Sequence, residues 1–423
     1  MIPTSIAIIG GGHAGDELAV QLREEGFRGE LIVLEEERGG SYERPPLSKE
    51  FLAQNLDASA ISARSDSVYD RLKIDRRSGS SVDAIAPGDN DVSILLRSGE
   101  KFTVGVVVLA TGMGPRQLTM PGSDAPGIFP LQSLGDAIAL RQALQDAESV
   151  VVMGGGFIGA ETASSASLLD KKVTLIEHGP RLMSRAVSET VSDFYQSQHQ
   201  SAGVDLLLET GVQSFDASPG GRVSSVTTSH GDVIPTTCVV AAIGVVPRTE
   251  LALQAGLELD RGFLVVDDQG RSSHPRVFGI GDIALFPHPR GLDERVPIPS
   301  VDNASWTAAV VARTLVGDEA PSVRPAPTFW TEQYGFRAQI AGLSQAKDRS
   351  VVRGDPTEGK FSVLHYQRDR IIAVEAIGAS RDYQAVKRAL SLGVNIPADL
   401  AAWSDLSLGD FVSSVLGKTQ PQP

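Results

Sequence analysis

Ser5-Ile-Ala-Ile-Ile-Gly10-Gly-Gly12-His-Ala-Gly15, with the acidic close Leu34-Glu35-Glu36-Glu37 that follows it, decides the fold. Ile6, Ala7, Ile8 and Ile9 form a short, wholly apolar run, the pattern of a parallel strand covered on both faces. The glycines interrupt it at once. Ala14, Leu18 and Leu22 then recur on one face of a predicted helix, and a second strand over residues 31–34 ends on acid. Each part suits the grip of a dinucleotide. Gly10 permits a tight turn, Gly12 lets the backbone approach a pyrophosphate, and Gly15 lets the helix lie close to its strand. The helix N-terminus turns unpaired N–H groups to the phosphates, and the acid accepts ribose hydroxyls.

With 43 glycines in 423 residues, roughly 0.4 chance matches to three fixed glycines are expected in such a chain. The inference therefore rests on the strand before, the helix after and the acid at the next strand end. Outward from there, 423 residues leave room for two or three domains, and an apolar share of 41% suits a globular chain. The balance of 38 basic against 52 acidic residues, a net charge of −14, argues against nucleic acid as a partner. An acidic partner must then dock on a local basic patch.

The single cysteine, Cys238, lies in an apolar run and is expected to be a buried structural thiol. It permits no disulfide within the chain and no zinc or iron–sulfur spacing. A fingerprint beginning so close to Met1 leaves no space for a signal or transit peptide, and apolar runs such as 104–110 are too short to cross a bilayer. A cytoplasmic location without membrane contact is the expectation.

The same order then repeats. Residues 150–153 predict a strand, Gly154-Gly-Gly156-Phe-Ile-Gly159 is a second G-x-G-x-x-G, and a helix with Ala163 and Ala166 follows. The next strand, 173–176, closes on Glu177. Hairpins are expected after each half, at 91–103 and 223–232, and then buried strands at 104–110 and 238–243. The fingerprints are offset by 144 residues (Gly10 to Gly154) and the closing strands by 132 (Ala110 to Ala242), an internal repeat of one plan. Further on, Gly279-Ile-Gly281-Asp282 predicts a carboxylate at a helix start. From Thr328 the pattern shifts to alternating strands (361–366, 371–376) and a terminal helix near 381–392, with a disordered tail from Lys418.

Two dinucleotide sites in one chain point to electron transfer between two cofactors, commonly NAD(P)H and FAD, with the hydride chemistry supplied by the cofactors. Several motifs make the resemblance specific: Gly10-x-Gly12-His-Ala-Gly15, Tyr42-Glu-Arg-Pro-Pro-Leu-Ser-Lys49, Ala110-Thr-Gly112, Gly154-Gly-Gly-Phe-Ile-Gly159-Ala-Glu161, Gly281-Asp282 and Phe329-Trp-Thr-Glu-Gln-Tyr334. In this order they resemble the FAD-dependent, NADH-using ferredoxin reductases that serve cytochrome P450s and Rieske-type oxygenases. The likeness runs from the first strand to about Leu392, and its most diagnostic part is the R-P-P-L-S-K loop.

The resemblance implies an α/β fold of two Rossmann-like domains, an NADH-binding domain (113–245) inserted in an FAD-binding domain (1–112 and 246–325), plus a C-terminal α+β domain (326–423). It implies that Gly10, Gly12, Ala14, Gly15, Val82, Ala110, Thr111, Gly112, Asp282, Val301 and Trp330 contact FAD. Glu36 holds the AMP half, with Glu35 as the neighbouring alternative, and Arg44 and Lys49 line the flavin. Gly154, Gly156, Ile158, Gly159, Glu161, Glu177, Arg185 and Gly244 serve NADH. Lys49 and Glu161 are the catalytic pair, partly desolvated, and losing one member of such a pair costs roughly 3–5 kcal/mol when buried. Glu177 accepts both adenine-ribose hydroxyls, whereas a 2′-phosphate there meets like charge, so NADH is preferred. A [2Fe–2S] ferredoxin docks near Arg64 and Trp330, and the protein is expected as a monomer or homodimer. His13 is expected to be a loop spacer.

Two positions depart from the family pattern: Gln132 stands where an arginine is usual, and Pro299 where an acid is usual. Disulfide reductases share the plan but need a redox cysteine near the first acidic strand end, where Ser41-Tyr42 offers none, and NADH oxidases usually need one too. A redox-controlled binding protein resembling apoptosis-inducing factor shares the Pro-Pro-Leu-Ser-Lys loop, but a nucleic-acid role conflicts with the net charge of −14.

Overall fold

The computed structural model describes residues 2–419 apart from 55, 320, 322, 323, 404 and 405. The chain forms two compact units, each assembled from separated stretches. The first comprises Met1–Glu43, Ile61–Gly114 and Val246–Thr328; the second comprises Arg44–Ala60, Pro115–Val245 and Phe329–Pro423.

In the first unit the apolar strand Ser5–Ile9 is central, with Ile6, Ala7 and Ile8 fully buried. It pairs in parallel with Glu30–Glu35 on one side and Val106–Leu109 on the other. The sheet runs Val277–Gly279, Val106–Leu109, Ser5–Ile9, Glu30–Glu35, Asp75–Ser78. Strand order reverses on either side of Ser5–Ile9, which leaves a crevice at the carboxyl ends where ligands of such sheets bind. Helix His13–Glu24 buries Ala14, Leu18 and Leu22 against one face, together with helix Val301–Val316. An antiparallel sheet of Val82–Pro87, Val92–Leu96 and Lys101–Val104 contributes Ile85 and Ile94 to the core of the other face.

The second unit repeats this plan. Its parallel sheet runs Asp205–Leu207, Lys172–Ile176, Ser149–Met153, Val239–Ala241, Ile128–Pro130. Registers correspond residue for residue: Ile9 lies opposite Leu34 and Leu109, and Met153 opposite Ile176 and Ala241. Helix Phe157–Leu168 buries Ala163 and Ala166 completely, so small side chains let it approach the sheet. An antiparallel sheet follows, in the order Thr328–Gln333, Phe336–Gly342, Arg370–Ile377, Lys360–Gln367, Arg349–Asp355. Helices Ser380–Ser391 and Leu408–Thr419 add Tyr383, Val386, Leu408 and Val412 to its core. The fold class is thus two Rossmann-like domains, the second inserted in the sequence of the first, with a C-terminal α+β domain.

Three expectations are corrected. Asp282 occupies a 3-10 turn, Gly281–Ile283, and not a helix start; buried Ala284 and Leu285 continue as a strand paired with Phe263–Val265. The predicted strand 104–110 is divided, with Val104 ending an antiparallel strand and Val106 starting the parallel one. The helix near 381–392 is not terminal. Leu408–Thr419 follows it, includes Lys418 and is held by buried Leu408 and Val412, while the rest of the expected disordered tail, 420–423, lies outside the described residues. Among the described residues no helix is long and apolar enough to cross a membrane, and no cluster of His, Cys, Asp and Glu could hold a metal.

Candidate functional site

The two fingerprints share the same backbone constraints at their first and last glycines. Gly10 (φ 109°) and Gly154 (φ 97°) adopt left-handed conformations, and a Cβ on either would meet the carbonyl of Ala110 or Ala242 at 2.3 Å. A Cβ on Gly15 or Gly159 would fall 1.9 or 1.8 Å from the carbonyl of Gly10 or Gly154, so only glycine lets each helix start so close to its strand. Gly12 and Gly156 cap helices His13–Glu24 and Phe157–Leu168 with no side-chain hydrogen bond, which leaves first-turn N–H groups free for an anion. A Cβ at Gly12 or Gly156 would meet nothing within 4 Å. That open space beside unpaired donors fits a pyrophosphate in both units.

In the first unit a cleft of about 360 Å³ is lined by Gly10, Glu36, Val82 and Thr111, all predicted, and by Ser81, Asp83, Arg97 and Arg248, which sequence reasoning missed. The structure separates the two candidate acids. Glu35 is buried and held by Arg76 Nε at 2.9 Å and by the Ser78 hydroxyl at 2.6 Å. Glu36 faces the cleft, its carboxylate 2.9 Å from Arg248 and 3.8 Å from Arg97. Such exposed pairs are worth about 0–1 kcal/mol and yield easily to a ligand. Thr111 donates to the Arg248 carbonyl at 2.6 Å, and Gly112 accepts the Arg248 N–H at 2.9 Å, which holds the cleft wall. Ala14 sits against Gly281, where an added Cβ would lie 2.8 Å from its methyl, so the turn bearing Asp282 lies at the start of the fingerprint helix. Val301 begins helix Val301–Val316 under a Ser300 cap.

In the second unit Glu177 takes the Gly155 N–H at 2.5 Å and the Gly179 N–H at 2.6 Å, one on each carboxylate oxygen. Its side chain is thereby oriented beside the fingerprint. Ile158 is exposed at the helix start, Gly244 has φ 105°, and Arg185 is exposed.

The R-P-P-L-S-K loop belongs to this same unit. Leu47, Phe51 and Leu52 are buried, Arg141 lies over the Phe51 ring, and the Ser165 hydroxyl on the fingerprint helix donates to the Ser48 carbonyl at 2.8 Å. This packing brings Lys49 Nζ to 2.8 Å from Glu161 Oε2, with side chains only 13% and 5% exposed. The Ser48 hydroxyl donates to the same oxygen at 2.5 Å, and Thr331 Oγ1 and the Glu332 N–H reach Oε1 at 2.8 and 3.4 Å. Every neighbour is a donor, so the carboxylate acts as an acceptor throughout. Ser48 and Thr331 lie inside the quoted motifs, yet nothing local in the sequence marks them as its partners. Arg44 donates to the Gln132 carbonyl at 2.5 Å.

Arg64 forms ion pairs with Asp16 and, at 2.7 Å, with Glu17, while Tyr69 donates to Asp16. It braces the fingerprint helix. Trp330 is half-buried with the Arg337 guanidinium 5.6 Å from its ring centre. His13, expected to be a loop spacer, is the first residue of helix His13–Glu24, and its Nε2 lies 2.8 Å from the Ser305 hydroxyl. Burial pushes the Cys238 thiol up to about 11, so it is inert.

Residues 4–310 match the family described as pyridine nucleotide-disulphide oxidoreductase, and residues 328–412 the one described as reductase C-terminal. The chain is 37% identical over 404 residues to rhodocoxin reductase of Rhodococcus erythropolis, covering 96% of this chain and 93% of that protein. Among solved structures it resembles the ferredoxin reductase for the CYP199A2 system of Rhodopseudomonas palustris (TM-score 0.92, 32% identity, 97% of this chain and 100% of that one). It also resembles the covalent putidaredoxin reductase–putidaredoxin complex (TM-score 0.93, 31% identity, 99% of each chain). The chain belongs to the pyridine nucleotide-disulphide oxidoreductase family and, by these relatives of matching length, to its FAD-dependent, NAD(P)H-using ferredoxin reductases.

Proposed function

We propose that this enzyme draws hydride from NADH through bound FAD and delivers single electrons to a [2Fe–2S] ferredoxin that serves a P450 or Rieske-type oxygenase. One observation carries the reading: two complete fingerprints share a chain whose single cysteine is fully buried, so no thiol relay can compete as electron outlet. FAD, when bound, supplies the chemistry of accepting two electrons as hydride and releasing them singly.

The chain's residues bind and orient. Gly10, Gly12 and Gly15 receive the FAD pyrophosphate, with Thr111 and Gly112 alongside; Glu36 accepts ribose hydroxyls and Asp282 the ribityl chain. Arg44 and Lys49 line the flavin and Glu161 stands beside the nicotinamide. Gly154, Gly156 and Gly159 hold NADH. Glu177 favours NADH over NADPH, because its oriented carboxylate suits ribose hydroxyls and repels a 2′-phosphate. Arg64, with about a quarter of its side chain exposed, and half-buried Trp330 are the candidate docking residues for the acidic partner.

Purified protein with its FAD should show a flavin spectrum that NADH bleaches, and should reduce cytochrome c rapidly only when a [2Fe–2S] ferredoxin is added. Colourless protein that takes up no FAD, or turnover indifferent to ferredoxin, overturns the proposal. A stable charge-transfer complex with barely any turnover points instead to a redox-controlled binding protein.

A further inference from the structure

Glu161 begins a chain of hydrogen bonds that leaves the site and runs through the second unit. Thr331 Oγ1 lies 2.8 Å from Glu161 Oε1, Gln333 Nε2 is 3.1 Å from Thr331 Oγ1, and Gln333 Oε1 is 2.9 Å from His199 Nε2. The Tyr334 hydroxyl closes the run, 2.9 Å from His199 Nδ1. Thr331 and His199 are fully buried and Gln333 nearly so, and besides its bond to Thr331 the Gln333 amide N–H₂ reaches Met183 Sδ at 3.6 Å, so buried donors and acceptors are satisfied within the run and at its side.

Chemistry at the carboxylate end sets the direction. Glu161 can only accept, so Thr331 spends its one proton there. Thr331 then accepts from Gln333, which must turn its amide N–H₂ that way and its oxygen toward His199. His199 therefore carries its proton on Nε2, and Nδ1 receives the Tyr334 O–H. All four bonds point toward Glu161, and each polarises the next. Burial supports these states, lowering His199 to about 4 and raising Tyr334 to about 12.

A second observation marks the far end. Tyr334 has φ 53°, in the turn between strands Thr328–Gln333 and Phe336–Gly342, a costly conformation for a bulky residue. Its N–H donates to the Ser164 hydroxyl at 3.0 Å, three residues along the helix that bears Glu161. The strained turn and its strand are tied to one helix at two points.

We propose that Thr331, Gln333 and His199 are positioning residues for hydride transfer, forming a one-way relay of hydrogen bonds that fixes how the Glu161 carboxylate is presented. This rests on the reading that Glu161 stands beside the nicotinamide. The relay orients Glu161 by holding Oε1 from behind while Ser48 and Lys49 hold Oε2, so the carboxylate plane cannot rotate.

The test is anaerobic rapid mixing of the FAD-loaded enzyme with NADH. Thr331→Val should slow flavin reduction about tenfold while NADH affinity changes by less than about twofold, and Thr331→Ser should recover the rate to within about twofold. Adding Gln333→Leu to Thr331→Val should cost nothing more, because the relay is already cut. Nitrogen-15 NMR of labelled His199 in the loaded protein should show the Nε2–H tautomer. An unchanged rate in Thr331→Val, losses that multiply in the double variant, or an Nδ1–H tautomer overturns the relay. Glu161→Gln separates the two levels: if it transfers hydride at the parent rate, the functional reading fails and the proposal with it. If Glu161→Gln is slow and Thr331→Val is not, the relay alone fails.

Discussion

Glu375, fully buried, accepts both the N–H and the hydroxyl of Ser188, at 2.9 and 2.5 Å on one oxygen, while His365 Nε2 reaches the other at 2.9 Å. Ser188 caps helix Glu189–Ser201, and Glu375 lies on strand Arg370–Ile377, 187 residues away. The C-terminal sheet thus grips a helix of the nucleotide-binding fold within the second unit. Burial pulls the Glu375 pKa up, but His365 and Ser188 outweigh it and the net shift is downward.

Glu375→Ala should therefore cost about 3–5 kcal/mol, since it strands buried donors around a lost charge. Glu375→Gln should cost less, because it keeps an acceptor for the Ser188 N–H. Urea unfolding measures both, and an unchanged midpoint for Glu375→Ala contradicts the account.

Lys49→Met and Glu161→Gln each break a largely buried pair. Lys49→Met alone should destabilise by roughly 3 kcal/mol, whereas the double variant should cost less than the sum of the singles. A thermal-unfolding cycle reads this coupling; strict additivity rejects it.

Gly12→Ala adds a methyl where nothing lies within 4 Å, at a residue with φ −70°, so the protein without cofactor should melt as before. FAD affinity should fall by roughly tenfold or more, because the methyl occupies the pyrophosphate's approach. Gly156→Ala and Glu177→Ala should weaken NADH binding to a similar degree and leave flavin content intact. Flavin loss in these last two instead would show the assignments of the two halves to be reversed.

His199 supplies a pH signature. Its pKa near 4 in the folded protein, set chiefly by burial, lies below the ordinary 6.5. The unfolded chain takes up the proton first as pH falls, so stability present above pH 6.5 is lost between 6.5 and 4. The full loss is about 3 kcal/mol. Urea midpoints across that range should slope for the parent and flatten for His199→Gln; parallel slopes refute the assignment.

Both fingerprints and their repetition were legible in the bare chain because the constraints are local. Gly10 and Gly15 answer to clashes within five residues and at the neighbouring strand, and the apolar runs announce strands covered on both faces. Even the buried state of Cys238 followed from its apolar neighbours. The surroundings of Glu161 were not legible in the same way. The Lys49 pairing came from family resemblance, while Ser48 and Thr331, 113 and 170 residues away, went unassigned. Hydrogen-bond partners of a carboxylate depend on which segments the fold returns to one helix face, and no periodicity encodes that. For the same reason the choice of Glu36, with Glu35 as the alternative, came from resemblance alone, whereas folding sets Arg76 and Ser78 around Glu35 and leaves Glu36 facing the cleft.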